Sequence, residues 1–176
     1  MAQNRSWFLA LARGKWTLFR GANTLINFAM AGLFLVMVLA GTGISNHIFK
    51  EIMPLDIRRS IMLHQLHVSL PYALLILMGL HWGMHFQGWL GQWQRVLDFN
   101  VQAKASHTLR RLAGAMLLAV GVYGSVQNRI GDRLLLKHIF ATPATGEPWA
   151  IYAALLAGVM GMYVLAGAVM KKILCK

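Results

Sequence analysis

The sequence predicts an all-α integral membrane protein, a four-helix bundle with both termini in the cytoplasm. Three observations carry this. Of 176 residues, 57% are hydrophobic and only 12% charged, whereas soluble domains average about 25% charged. The charges are bunched, leaving gaps of 29 residues between Arg20 and Lys50, 35 between Arg59 and Arg95, 17 between Arg111 and Arg129, and 23 between Glu147 and Lys171. The basic residues stand at the ends of these gaps. A formal charge of +12 distributed in that way does not describe a nucleic-acid interface, which gathers its cations on one polar face.

Taken in order, residues 1–22 form a basic N-terminal segment in which Trp7, Phe8, Leu9, Leu11, Trp16, Leu18 and Phe19 lie among Arg and Lys. Such a segment lies on a membrane surface, or else remains a partly ordered tail. The charged leader is too long, and the following apolar run too extended, for a cleaved secretory signal. The membrane domain occupies 23–172. Since about 20 apolar residues cross a bilayer at ~1.5 Å each, spans are placed near 24–46, 61–86, 109–127 and 149–170. The third is marginal and needs Arg110, Arg111 and Arg129 to reach the interfaces with their charges. A short amphipathic helix is expected within 130–140, ended by the turn-forming residues 142–148. Residues 173–176 form a cytoplasmic tail.

The basic residues beside the spans set the orientation. The N-terminal arm, the second loop and the tail carry eleven Lys and Arg, against six in the first and third loops. Both termini are therefore assigned to the cytoplasm, and the chain to a bacterial inner membrane as a multi-pass protein. Cys175 is the single cysteine, so the chain has no internal disulfide and no thiolate metal cage.

Histidine carries the chemical signal. Four of the seven, His64, His67, His81 and His85, lie on the second span. Ionisable side chains inside a bilayer are costly and face a bundle interior, a partner or a cofactor. At 100° per residue, His67 and His85 share a face and His81 lies about 40° away. Along the axis, His67 stands about 21 Å from His81. One helix face thus offers imidazoles near both membrane surfaces, which suits stacked cofactor sites carrying electrons across. Haem b, one or two per chain, is the cofactor that fits best. Neutral imidazole ligates haem iron axially, and no Asp, Glu or Cys within the spans completes a non-haem metal site. His67 and His81 are the leading ligands to haem iron.

The pattern of His67, thirteen residues, then His81-x-x-x-His85, with Gly41-x-Gly43-Ile44-Ser45 closing the preceding span, resembles a bacterial four-helix membrane family of unknown function. That family is grouped with the b-type di-haem cytochromes, among them the membrane subunits of formate dehydrogenase and nickel hydrogenase and the cytochrome b561 proteins. The resemblance covers residues 24–86. It departs at Phe86, where the family carries tryptophan, while Trp82 falls inside the motif. It implies haem binding, electron transfer and an extracytoplasmic or peripheral redox partner.

A second axial ligand has to come from elsewhere. His107 enters the third span on the inner side, facing His81 or His85. His47 and His138 lie on the outer side with His67 and His64. Five-coordinate haem, or a ligand from a partner subunit, is the alternative. Arg58 and Arg59 stand on the outer side against the charge rule and are candidates to meet a haem propionate or a quinone headgroup. Ala154, Gly158, Gly161 and Gly167 predict close helix contact, within the chain or in an oligomer. Gly79 and Gly83, roughly opposite His81, are expected to admit a neighbouring backbone. Pro71 predicts a bend beside His67.

Together these observations predict a b-type cytochrome subunit passing electrons between quinone and a partner protein, with no catalytic residue of its own. Two rivals belong to other classes. One is a histidine-lined transporter of protons or a divalent metal, which the lack of intramembrane carboxylates disfavours. The other is a cofactor-free membrane anchor or assembly subunit.

Overall fold

The structure, a computed structural model, describes residues 15–47, 49, 51–97, 107–139 and 146–175. Most of the N-terminal segment, residues 142–145 of the expected turn cluster and Lys176 lie outside them. Among the described residues the chain is helical with no strand. The helices are α1 (Leu18–Ile44), α2 (Leu55–Arg58), α3 (Ile61–Leu97), α4 (His107–Gln127), α5 (Ile130–Leu134) and α6 (Trp149–Leu174).

Local chemistry explains several boundaries. Thr17 caps α1, its Oγ1 accepting the Arg20 amide at 3.2 Å, which satisfies one of the donors every helix start leaves open. Pro148 precedes α6, and Lys171 and Lys172 fill its last turn, where cations meet the negative end of the helix dipole. Helix α3 runs unbroken through Pro71. It also continues past the expected end near residue 86 to Leu97, because 87–97 holds no proline and the helix outlasts its apolar part. The expected helix within 130–140 forms over Ile130–Leu134 only.

Three helices are long and apolar enough to cross a membrane: Leu18–Ile44, Ile61–Trp89 and Trp149–Leu174. Their exteriors agree with that. On α1 only Ile26, Ala40 and Gly43 are buried, while Leu25, Phe28, Phe34 and Leu39 stand outward. A helix apolar around most of its circumference is at home in lipid. Helix α4 has 21 residues, about 31 Å of rise, but carries Arg110 and Arg111 in its first turns.

The long helices pack in the spatial order α1, α3, α6, α4. Helix α3 lies antiparallel to α1 and parallel to α6, and α6 lies antiparallel to α4. Glycine makes the closest of these approaches possible. A Cβ at Gly83 would overlap the Val164 carbonyl and lie 2.9 Å from the Gly167 Cα, and one at Gly79 would lie 2.8 Å from the Tyr163 Cβ. Across α4 and α6, a Cβ at Gly121 would stand 2.5 Å from the Met162 Cβ, and one at Gly158 2.5 Å from the Val120 Cγ1. Gly79 and Gly83 therefore serve backbone packing, as their position opposite His81 predicts. A small core of Tyr72, Ile130 and Val159 ties α3, α5 and α6 together.

Candidate functional site

The eighteen-residue interval between His67 and His85 does what helical geometry requires, because both side chains turn toward α1. His67 donates from Nδ1 to the Met37 carbonyl at 3.1 Å. Its ring rests on Gly41, where an added Cβ would lie 2.6 Å from Cε1 and 2.9 Å from Nδ1. About five turns further along the interface, His85 donates from Nε2 to the Asn23 Oδ1 at 2.8 Å. The His81 ring lies 4.8 Å from that of His85, tilted by 45°. His81 Nδ1 is buried and has no hydrogen-bond partner.

These bonds fix the useful nitrogen. A backbone carbonyl can only accept, so Nδ1 of His67 carries the proton and the neutral ring keeps its lone pair on Nε2. His64 is held the same way, Nδ1 donating to the Ser60 carbonyl at 2.9 Å. Metal-ligating histidines commonly anchor their second nitrogen on a carbonyl, which fixes both tautomer and ring direction.

His67 also lines a cavity of about 290 Å³ between α3, α5 and α6. Its walls are apolar at Val68, Pro71, Leu75 and Leu156, and polar at Tyr72, Tyr152 and Arg133. The two tyrosine hydroxyls are 2.7 Å apart. The Arg133 guanidinium sits 4.8 Å above the Tyr72 ring, and the residue is only 1% exposed. A cation–π contact gains strength when desolvated in this way.

The turn between α4 and α5 brings Arg133 there. Asn128 Nδ2 donates to the Gly124 carbonyl at 2.9 Å, and Arg129 takes a left-handed φ of 48°. The chain reverses, α5 restarts at Ile130, and Arg133 Nε donates to the Asn128 carbonyl at 3.0 Å. Leu136, at φ 59°, ends the motif. Ile130 and Arg133, three apart on one face, are buried, while Leu134 and Leu135 are exposed. The amphipathic pattern of this segment is thus inverted at the cation.

The remaining candidates are dispersed. His47 is exposed beyond the end of α1, and His138 is half-buried after α5. His107 begins α4, its side chain lying outside the described residues. Arg58 donates from Nη1 to the Asn46 Oδ1 at 3.2 Å, tying α2 to the end of α1, and Arg59 is exposed. The cation beside the His67 cavity is Arg133, which sequence reasoning counted only as a loop charge. Tyr72, Tyr152 and Asn23 were likewise missed. The single available signal was a lone arginine on the apolar face of a short amphipathic stretch.

The donor chemistry fits residues that would hold haem iron: an oriented imidazole with its Nε2 lone pair available at His67, and an unsatisfied buried nitrogen at His81. The cavity beside His67 is at the bottom of the ~300–1,000 Å³ range of ligand sites, so a macrocycle has to part neighbouring helices to enter. Among the described residues no three His, Cys, Asp or Glu side chains converge as a metal-ion site does. No family model, curated protein or solved structure matches this chain.

Proposed function

We propose that this chain is the membrane subunit of a redox complex, a b-type cytochrome that passes electrons between the quinone pool and a partner redox protein. The reading takes α4 as a fourth span closing a four-helix bundle, with both termini in the cytoplasm of a bacterium and the chain in its inner membrane. His67 carries the argument: its ring is seated on Gly41 and anchored through Nδ1 to Met37, which leaves Nε2 as an oriented electron-pair donor within an apolar helix interface.

In this reading His67 and His81 hold haem iron. When bound, haem supplies a one-electron iron couple. The protein's residues do the rest. Met37 and Gly41 keep the His67 ring from rotating, so its lone pair is pre-organised. Val68, Leu75 and Leu156 keep water from the cavity, which strengthens every charge interaction inside it. Arg133 sets a positive potential there, favouring an anionic group such as a propionate. The roles of His64, His85, His107, His47 and His138 as further ligands remain part of the same proposal.

The test is a dithionite-reduced minus oxidised absorbance spectrum of the full chain expressed with haem available, with His67→Ala and His81→Ala beside it. The expected result is a b-type spectrum diminished in both variants. Loss of one of two components in each assigns two haems, and complete loss in each assigns one. A featureless spectrum from folded, haem-supplied protein overturns the proposal.

A further inference from the structure

The cavity beside His67 is polar on one side and apolar on the other. Its polar wall is made by the Arg133 guanidinium, by Tyr72 and by Tyr152 in the first turn of α6. One turn further along α3 and α6 the wall is Leu75 and Leu156. Pro71 also lines this space of about 290 Å³ and is itself exposed, so the cavity reaches the outer surface of α3, a helix long and apolar enough to cross a membrane. The polar wall offers donors. The 2.7 Å contact between the two tyrosine hydroxyls uses one of their two protons and leaves the second for an acceptor. A guanidinium only donates, and Arg133, 1% exposed, carries its charge where solvent screens it little. His67 has already given its Nδ1 proton to the Met37 carbonyl. The described residues that line the cavity include no Asp or Glu.

We infer that this cavity binds the carboxylate of a single-chain membrane amphiphile, a fatty acid. The carboxylate oxygens accept from the Arg133 guanidinium and from the second tyrosine proton. Hydrogen bonds to an ionised partner are the strong ones, and the guanidinium fork matches a carboxylate in shape. A carboxylate also offsets the cost of holding a cation away from water. The first methylenes of the chain lie against Leu75 and Leu156, and the rest leaves beside Pro71 into the bilayer. A small inorganic anion would leave the apolar wall bare, and a fatty alcohol or a neutral quinone would leave the positive charge unmatched. The inference rests on the cavity alone and stands whether or not the chain binds haem.

The test uses the full chain, expressed without added haem and purified in detergent, with palmitate isotopically labelled at its carboxyl carbon and read by nuclear magnetic resonance. A haem propionate carries the same group, and a label that only palmitate bears tells the two sources apart. The expected result is a carboxyl resonance distinct from that of micellar palmitate, saturating at one palmitate per chain and displaced by unlabelled palmitate but not by hexadecanol. Loss of the charged hydrogen bond in Arg133→Met should weaken binding roughly 10- to 100-fold. Leu156→Trp, which fills the apolar side and leaves the polar wall intact, should abolish it. Helical circular dichroism checks that both variants remain folded. Absence of a distinct resonance, equal displacement by hexadecanol or by a benzoquinone bearing the same chain, displacement by millimolar acetate or inorganic phosphate, or unaltered binding in either folded variant would each overturn the inference.

Discussion

A methyl group added at Gly83 tests the packing that holds the candidate site. Its Cβ would overlap the Val164 carbonyl oxygen and stand 2.9 Å from both the Ala168 amide nitrogen and the Gly167 Cα, where ordinary contact begins at 3.4 Å. All three neighbours are backbone, so no rotamer change relieves the clash and α3 has to move away from α6. Overpacking of this kind costs about 1–3 kcal/mol. Movement also loosens Met84 and Val159, both 0% exposed. Opposing this, alanine improves on glycine by about 0.8–1.0 kcal/mol in a helix interior. Gly88, on the same helix, supplies the control, because a Cβ there meets nothing within 4 Å. Comparing Gly83→Ala with Gly88→Ala cancels the propensity gain and leaves the packing cost, about 1–3 kcal/mol. The assay is reversible unfolding of the full chain in mixed micelles, followed by helical circular dichroism against increasing dodecyl sulfate. Gly88→Ala should match or slightly exceed the parent and Gly83→Ala should unfold well before it. Equal stability of the two variants would refute backbone-to-backbone packing of α3 on α6.

Three further outcomes follow from the site. Gly41→Ala should displace the His67 ring, the movable partner of that contact, and break its bond to the Met37 carbonyl. The loss of about 0.5–1.5 kcal/mol is largely offset by helix propensity, so the change appears in the imidazole nitrogen resonances and in haem retention more than in melting. Tyr72→Phe and Tyr152→Phe each remove the shared hydroxyl contact at a cost of about 0.5–1.5 kcal/mol. In a double-mutant cycle by thermal unfolding, the pair should cost less than the sum of the singles, and strict additivity would argue against the bond. Arg133→Met keeps an apolar stem over Tyr72 but loses a charged hydrogen bond, for about 1.5–3 kcal/mol. Exposed Arg129→Met should stay within about 0.5 kcal/mol of the parent, and similar unfolding of the two would show that Arg133 is not buried.

Much of the architecture was legible in the chain. Charge-free runs mark where a long helix can form, so as helices the start and end of α4, and the starts of α3 and α6, fall within two residues of their expected positions. The ends of α3 and α6 and the start of α1 do not, because a helix continues past its apolar part until something stops it. Pattern alone also assigned Gly79 and Gly83 to packing, since their angular offset from His81 is a property of one helix.

What the sequence by itself determined is therefore whatever one helix contains: its length, its apolar surface, and the shared face of His67 and His85. Only the tertiary structure decided which neighbour each face meets. It set α1 against the histidines, so that Met37 and Asn23 hold them, and joined Tyr72 to Tyr152 across eighty residues. It also turned Arg133 inward through the left-handed turn at Arg129. A charge in a loop is expected to face water, and nothing local overrides that expectation. Burial became possible here because the Asn128 carbonyl, from the turn after α4, and the Tyr72 ring, from α3, together replace part of the solvation that the guanidinium gives up.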